Sequence, residues 1–305
     1  GRGEADIPLG IAGIGIGPRR ITGPDDLAQT VGVVVRIRHV HQTIAVEVTS
    51  NQPIWAFGDI HGAYDEWVKL LKANNIIDND LNWSAGKAQL VSTGDILDRG
   101  PHPRKTLDLM MKLEKQAKSA GGAFHLVLGN HEVMILLGDL RYVAPFEYLE
   151  FASDETPQMR EKYLQLYTNY KNSQLAQNGQ TVRLDLKTLE NNFNKEHPAG
   201  FFARFEAFSK NGKYGSWLLS KPIVLKINDN IFAHGGLSKV LKGRDLHSIN
   251  HQLKSELITY LDSWHQLIVD GQLPVASLLK ERGELLAANS SPQSSSLNDY
   301  TKLLV

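Results

Sequence analysis

The sequence predicts an α/β fold built on parallel strands, and three observations support this prediction. Short apolar runs that end in Gly-Asp or Gly-Asn alternate with longer segments whose apolar residues have helical spacing. Such alternation is typical of parallel sheets with crossover helices. Polar side chains follow each run directly, at the strand ends where open α/β sheets bind ligands. The 305 residues are enough for one large domain.

The predicted core elements follow one another in order along the middle of the chain. Three apolar runs read as short core strands, at residues 54–57, 89–92 and 124–128, and the first of them is predicted to be buried. Apolar residues at helical spacing predict helices within residues 65–74 and 106–120. A later β-hairpin is predicted at residues 222–227 and 230–233, because two apolar runs flank an Asn-Asp turn.

The segments around this core differ in composition. Residues 1–50 predict a flexible lead-in and an N-terminal β-hairpin, because a Gly/Pro-rich stretch precedes two β-branched runs. Residues 51–286 are the predicted main domain, with a helical insertion at about residues 140–220. Residues 287–305 are rich in Ser and Asn and predict a loose tail.

Composition excludes several classes of protein. The chain has no cysteine, which excludes disulfides, thiolate metal sites and cysteine nucleophiles. Lys+Arg and Asp+Glu both number 33, so no basic excess predicts a nucleic-acid partner. No apolar run reaches membrane-spanning length, so we expect a soluble protein without a membrane partner. Cytoplasm and periplasm both remain open as its compartment.

Four motifs place metal-ligand side chains after predicted strands. They are Gly58-Asp59-Ile60-His61-Gly62, Gly94-Asp95-Ile96-Leu97-Asp98-Arg99-Gly100, Gly129-Asn130-His131-Glu132 and His234-Gly235-Gly236. Any one of them alone fits an ordinary turn. Their recurrence in this order favours a site for two divalent metal ions, because oxygen and imidazole donors suit such ions and a carboxylate can bridge them. The predicted ligands are Asp59, His61, Asp95, Asn130 and His234.

The residues beside these ligands predict a reaction. Arg99 suits phosphoryl oxygens, and His131 suits proton donation to a leaving oxygen with Asp98 orienting its ring. Arg99, Asn130 and His131 are the predicted substrate-binding residues. We expect a metal-bound water to attack phosphorus directly, without a phosphoenzyme. Glu132 is expected to support the site. The remaining histidines have no motif around them and are predicted to be surface or packing residues.

At these motifs the chain resembles the metallophosphoesterases of the calcineurin-like phosphoprotein-phosphatase superfamily. The block from Gly138 to Val143 looks most like the bacterial Shewanella-like protein phosphatases. The resemblance implies a β-sandwich flanked by helices (α/β/β/α), with a helical insertion and two divalent ions (Mn, Fe, Zn or Mg). It also implies the ligand sets, with Asp59, His61 and Asp95 on the first ion and Asp95, Asn130 and His234 on the second.

The chain departs from this family after Gly236. No later segment matches the Trp-Tyr-Arg and Gly-His-Thr segments that supply a second phosphate-binding arginine and a further metal histidine. His265, in Trp264-His265-Gln266, resembles a variant of that histidine, but its surroundings read as a helix. Either the chain is truncated or its end has diverged.

The predicted function is therefore dimetal-dependent hydrolysis of phosphomonoesters. The substrate is expected to be a protein phosphorylated on Ser/Thr and/or Tyr, or a small phosphomonoester. Two alternatives remain open. One is a dinucleoside-polyphosphate hydrolase, and the other is a non-catalytic relative that binds phosphorylated ligands.

Overall fold

The computed structural model describes residues 46–179 and 185–288, so most of the predicted lead-in, N-terminal hairpin and tail lies outside the described residues. Within these ranges the chain forms six β-strands and ten α-helices. The strands are β1 Glu47–Val48, β2 Ile54–Phe57, β3 Gln89–Ser92, β4 Ala123–Leu126, β5 Val224–Ile227 and β6 Asn230–Ala233. The helices are α1 Tyr64–Ala73, α2 Pro103–Ser119, α3 Asn130–Leu136, α4 Pro145–Leu149, α5 Pro157–Gln177, α6 Leu186–Glu196, α7 Phe201–Phe208, α8 Lys213–Leu219, α9 Leu246–Val269 and α10 Leu279–Ala288.

Strands β2, β3 and β4 form one parallel sheet in that order. Ile54 pairs with Gln89, and Gln89 pairs with Ala123, so the three strands start level with one another. Helices α1 and α2 connect them, which confirms the predicted strand–helix alternation. The carboxyl ends of the strands therefore meet at one edge, where the polar motifs follow.

Burial differs between neighbouring strands of this sheet. In β3, Leu90 packs in the main core and Val91 packs in a second, smaller apolar cluster, so both faces are covered. Strand β2 differs, because Ala56 is exposed and Trp55 is 42% exposed. The prediction of a buried strand at residues 54–57 is wrong in this respect. The physical reason is that β2 lies at an edge of this sheet where no other element in the described part of the chain covers the side chains of Trp55 and Ala56.

The second sheet has the order β1-β5-β6. Strands β5 and β6 form an antiparallel hairpin around Asn228, as predicted, while β1 pairs with β5 in parallel. Leu225 and Ile227 of β5 pack with Val91 of β3 and with Val127, which directly follows β4. This small cluster joins the two sheets, and helices cover the main core.

Five helices, α4 to α8, occupy the segment between residues 145 and 219. Aromatic rings hold them together. Tyr163 of α5 stacks on Phe202 of α7 with ring centroids 4.4 Å apart, and Phe193 of α6 stacks on Phe202 at 5.2 Å. These contacts fix α7 against its neighbours, which matters because α7 carries the buried Arg204.

Among the helices in residues 46–179 and 185–288, none combines the length and the apolar composition that crossing a bilayer requires.

Candidate active site

The predicted site residues come together where four segments of the chain end. Asp59 and His61 follow β2, Asp95 follows β3, and Asn130 is the first residue of α3, shortly after β4. His234 directly follows β6. Both sheets therefore contribute side chains to one site.

Asp95 lies at the centre of this group and is buried. Its Oδ2 is 3.3 Å from Nε2 of His234, 3.8 Å from Nε2 of His61 and 4.0 Å from Nε2 of His131. One carboxylate oxygen thus faces three imidazole nitrogens. This is the geometry expected of a carboxylate shared between ligand sets.

Two of these rings are oriented by backbone carbonyl groups. Nδ1 of His61 lies 2.9 Å from the carbonyl oxygen of Leu97, and Nδ1 of His234 lies 3.0 Å from that of Thr93. A carbonyl only accepts hydrogen bonds, so in each ring Nδ1 donates and Nε2 keeps its lone pair. The lone pair on each Nε2 can then bind a cation, and the carbonyl holds the ring in place.

The donor atoms fit a pair of divalent cations. Two overlapping groups each have ligand atoms within 4.8 Å of one another, namely His61 with Asp95 and His131, and Asp59 with Asp95 and His234. Asn130 joins the second group, because its Oδ1 lies 3.0 Å from Nε2 of His234. Carboxylate, amide and imidazole donors without thiols suit Mn, Fe, Zn or Mg.

The grouping differs in one respect from the sets that the resemblance implies. Asp59 lies nearer the His234 group, although its Oδ2 remains 3.9 Å from Nε2 of His61. His131 is close enough to join His61 and Asp95. The assignment of individual ligands to individual ions therefore stays a prediction.

His131 and Asp98 form a buried pair. Nδ1 of His131 lies 2.6 Å from Oδ2 of Asp98, and both side chains are almost fully buried. Burial raises the pKa of Asp98 above its ordinary value, and the hydrogen bond to His131 opposes this shift. The bond also fixes the ring, so that Nε2 points toward Asp95 and the exposed Arg99.

Arg99 spans two of the imidazole rings. Its Nη1 lies 3.1 Å from Nε2 of His61, and its Nη2 lies 3.1 Å from Nε2 of His131. Its guanidinium carbon lies 5.5 Å from the ring centroid of Tyr142. Arg99 is exposed at the mouth of the site, where a planar guanidinium can bind two oxygens of a phosphoryl group.

The turns that carry these groups have an unusual backbone. His61, Asp95, Asp98 and Arg99 have φ values of 47°, 53°, 66° and 65°. Each is a non-glycine residue in the left-handed region, which costs roughly 1–2 kcal/mol per residue. Backbone bonds hold the first turn, since the carbonyl of Asp95 accepts from the amides of His61 and its preceding residue at 2.9 Å. Such concentrated strain is typical of functional sites.

Glu132 holds the second and third motifs together. Its fully buried carboxylate accepts hydrogen bonds from the amides of Asp95 (2.8 Å), Ile96 (2.9 Å) and Gly129 (2.9 Å). Burial raises the pKa of Glu132, and the nearby charge of Asp95 adds to this shift. Gly129 permits the close approach, because a Cβ there would lie 2.3 Å from Oδ1 of Asp95.

The sequence did not indicate three further residues at or behind the site. The ring centroid of Tyr142 lies 5.2 Å from that of His131. The block from Gly138 to Val143 indicated a family resemblance but no role for Tyr142 in the site. Arg204 and Glu147 form a buried ion pair, and the charge of Arg204 lowers the pKa of Asp98 against the effect of burial. No sequence signal linked them, because both lie in the helical segment far from the motifs.

His265 lies on α9 and is in neither ligand group of the described residues.

The sequence that carries this site matches a known protein family. The family model of calcineurin-like phosphoesterases matches residues 52–293. The chain belongs to this family. As a calcineurin-like phosphoesterase it has the mixed α/β fold that the motifs predict, with two sheets and flanking helices.

Two curated relatives match much of this phosphoesterase. Shewanella-like protein phosphatase 2 of Arabidopsis thaliana is 29% identical over 208 residues, which are 65% of this chain and 50% of the relative. Shewanella-like protein phosphatase 1 of Plasmodium berghei is 27% identical over 208 residues, or 68% and 44% of the two chains. The predicted resemblance to Shewanella-like phosphatases is confirmed. The chain spans half or less of the length of these relatives.

A solved structure and a more distant relative add to this comparison. The cold-active protein-tyrosine phosphatase of a psychrophilic Shewanella sp. is 26% identical with a TM-score of 0.50, covering 86% of this chain and 66% of that one. The symmetrical bis(5'-nucleosyl)-tetraphosphatase of Escherichia coli is 37% identical over 82 residues, which are 27% of this phosphoesterase and 24% of the relative.

Proposed function

We propose that this phosphoesterase is a metal-dependent phosphatase that acts on phosphorylated proteins or small phosphomonoesters. The observation that carries the proposal is the buried His131–Asp98 pair, whose Nε2 points toward Asp95 and Arg99. A proton donor, a cationic group and a shared carboxylate are the parts that phosphoryl transfer to water needs. The phosphatase names of the relatives support the same class of reaction.

The proposed cation ligands are the residues around Asp95. Asp59, His61 and Asp95 would hold one divalent ion, and Asp95, Asn130 and His234 the other. Bound there, two ions supply Lewis-acid charge and a water nucleophile of lowered pKa. We infer transfer directly to water, because a water held by the two ions would be the nucleophile and His131 is assigned to the leaving group.

The other residues bind the phosphoryl group and move one proton. Arg99 and Asn130 bind phosphoryl oxygens, and Arg99 stabilises the charge that develops on them. The bond from phosphorus to the leaving oxygen breaks while a bond to the water oxygen forms. His131 donates a proton from Nε2 to the leaving oxygen, and Asp98 holds its ring in the required orientation.

The test is hydrolysis of para-nitrophenyl phosphate by metal-stripped protein as manganese is added back. We expect manganese-dependent turnover that Asp95→Asn abolishes, because the shared ligand is lost. His131→Ala is expected to retain metal binding and to lose at least about 10²-fold in kcat on an alkyl phosphate. Folded wild-type protein that shows no turnover with any divalent metal would contradict the proposal.

The substrate class needs a separate comparison. The similarity to a bis(5'-nucleosyl)-tetraphosphatase makes dinucleoside polyphosphates the second candidate. We expect phosphotyrosine and phosphoserine peptides to be hydrolysed with a higher kcat/KM than diadenosine tetraphosphate. The reverse order would favour the second candidate. Phosphopeptide binding without hydrolysis of any substrate would favour a purely binding role.

A further inference from the structure

A cavity of about 190 Å³ lies behind the active-site helix, between α3, α7 and α9. Apolar side chains form most of its wall, among them Ile135 and Leu136 of α3, Phe201 and Phe205 of α7, and Leu261 and Trp264 of α9. No metal ligand of the proposed site lines it. The cavity is therefore distinct from the phosphoryl site, although α3 contributes to both.

Of the charged side chains that line this cavity, Arg204 is buried, whereas Lys210 and Asp262 are more exposed. Arg204 is 3% exposed, and its Nε donates to Oε1 of Glu147 at 2.7 Å, while its Nη2 lies 2.6 Å from the same oxygen. Although this contact makes Nη2 part of the ion pair, Nη2 is buried and forms no hydrogen bond of regular geometry within the described part of the chain. A guanidinium has five donor hydrogens, so Arg204 retains donors for a molecule in the cavity.

The charges around the cavity are balanced. Glu147 neutralises Arg204, and at the rim Lys210 donates to Asp262 in a second ion pair. A ligand that brings a full charge would have to enter an apolar space already neutral, which is unfavourable. A neutral hydrogen-bond acceptor instead matches the free donor of Arg204 without adding charge.

The walls favour an aromatic body for the ligand. Phe205 and Trp264 meet edge to face, with ring centroids 5.7 Å apart at 87°, and a further ring can extend this packing. An apolar cavity of about 150 Å³ is enough for benzene, so this one has room for a ring with a short substituent. We propose that the cavity is a binding site for a neutral, single-ring aromatic compound whose carbonyl oxygen accepts a hydrogen bond from Arg204.

The location of this site links it to the phosphoryl site. Helix α3 begins with Asn130 and His131, and Ile135 and Leu136 near its other end line the cavity. A ligand that packs against these two side chains acts on the same short helix that carries the proposed proton donor. Binding therefore alters turnover. This link rests on the proposed phosphatase function, whereas binding itself does not.

The experiment compares acetophenone with ethylbenzene, which has a similar shape but lacks the carbonyl oxygen. Binding to the full chain is followed by NMR of methyl groups that line the cavity. We expect acetophenone to shift the Ile135, Leu136 and Leu261 signals in wild-type protein. The paired substitutions Arg204→Met and Glu147→Met remove both buried charges together. They are expected to weaken acetophenone binding at least about tenfold and to leave ethylbenzene binding within about twofold.

Two variants of Val275, which lines the cavity, serve as a matched pair. Val275→Phe fills the space and is expected to abolish binding of both compounds, whereas Val275→Ile is expected to retain binding.

At saturation, acetophenone is expected to change kcat at least twofold in wild-type protein and not in Val275→Phe. If Val275→Phe does not fold, binding of the two compounds to wild-type protein and to the Arg204→Met/Glu147→Met variant still tests the site. No shift by either compound at its solubility limit, or equal binding of acetophenone with and without Arg204, overturns the site. Binding without any change in kcat overturns only the link to turnover.

Discussion

Asp98 places its carboxylate entirely inside the protein, where its Oδ2 lies 2.6 Å from Nδ1 of His131. Asp98→Asn keeps the size of the side chain but replaces one acceptor oxygen with a donor group. We expect the ring of His131 to lose its orientation, so kcat on an alkyl phosphate falls by at least about 10²-fold. Metal content, measured by atomic spectroscopy, should not change.

The control for this prediction is the leaving group. Para-nitrophenolate leaves readily without a proton, so Asp98→Asn should lose much less activity on para-nitrophenyl phosphate than on an alkyl phosphate. Equal losses on both esters would mean that Asp98 and His131 act on binding or folding rather than on proton donation.

Glu132 offers a residue-scale test of the scaffold instead of the chemistry. Its two oxygens accept from three backbone amides in two motifs. Glu132→Gln keeps one acceptor oxygen but replaces the other with a side-chain NH2 group. That group then faces a backbone N–H, and neither of the two can accept a hydrogen bond. We expect a loss of about 2–3 kcal/mol in the free energy of unfolding, measured with urea on metal-free protein. A loss below about 0.5 kcal/mol would show that water replaces these bonds.

His125 provides a pH dependence far from the metal ligands. Burial lowers its pKa from 6.5 to about 4, and its Nε2 lies 2.8 Å from Oε1 of Gln89. Between these two pKa values the unfolded chain binds a proton that the folded protein excludes, so stability falls as pH falls from about 6.5 to 4. Wild-type protein should lose about 3 kcal/mol more than His125→Gln between pH 7 and 4. Parallel losses in urea titrations of both proteins would contradict this assignment.

At the scale of elements, local patterns predicted some structures and missed others. The stripe Leu107, Met110, Leu113 and Ala117 predicted α2, because helical periodicity is visible within one segment. The exposure of β2 was missed, because burial depends on the strand order rather than on the strand. Local reasoning also could not predict the pairing of β1 with β5, since it joins Val48 to Ile227, which is far away in the sequence.

The end of α3 is a second feature that no local pattern indicated. Gly138 has a φ of 67°, and a Cβ there would lie 2.2 Å from Cη2 of Trp264. The indole cannot move away freely, because the guanidinium of Arg282 stacks 4.0 Å from its ring centroid and donates to the carbonyl of Gly138 at 2.8 Å. Helix α10 is thereby tied to the helix that carries Asn130.

Two glycine substitutions separate backbone strain from this packing. Gly86 has a similar φ of 58°, and a Cβ there would meet nothing within 4 Å. Gly86→Ala should therefore cost about 1–2 kcal/mol from backbone strain alone. Gly138→Ala should cost at least about 2 kcal/mol more, because the added methyl group overlaps the indole. Urea unfolding of both variants checks the difference, and equal costs would mean that Trp264 yields without penalty.

At the scale of the whole molecule, the sequence was most informative about the site and least informative about what surrounds it. The predicted ligands lie in short motifs at strand ends, and parallel strands bring their ends together once the fold forms. Arg204 and Glu147 come near Asp98 only through the packing of α4 and α7, which no motif encodes. The closeness of His131 to the ligands likewise depends on how α3 is oriented.

Because the ligands come from both sheets, cations bound there should stabilise the junction between them. Asp95 and Asn130 follow strands of the first sheet, whereas His234 follows β6 of the second. A ligand that binds only the folded state at 100 times its Kd adds about 2.7 kcal/mol. Chelation of manganese-loaded protein should therefore lower the melting temperature by about 5–10 °C. Hydrogen exchange should show the largest loss of protection in β5 and β6.

Two variants make this prediction specific to the site. Asp95→Asn should melt at the same temperature with and without chelator, because the shared ligand is gone. His131→Ala should keep the full shift, because its Nδ1 is engaged by Asp98 and the proposed ligand sets do not include it. A shift that disappears in His131→Ala would place His131 among the ligands, as its distance of 4.0 Å from Asp95 permits, and would contradict its role as proton donor.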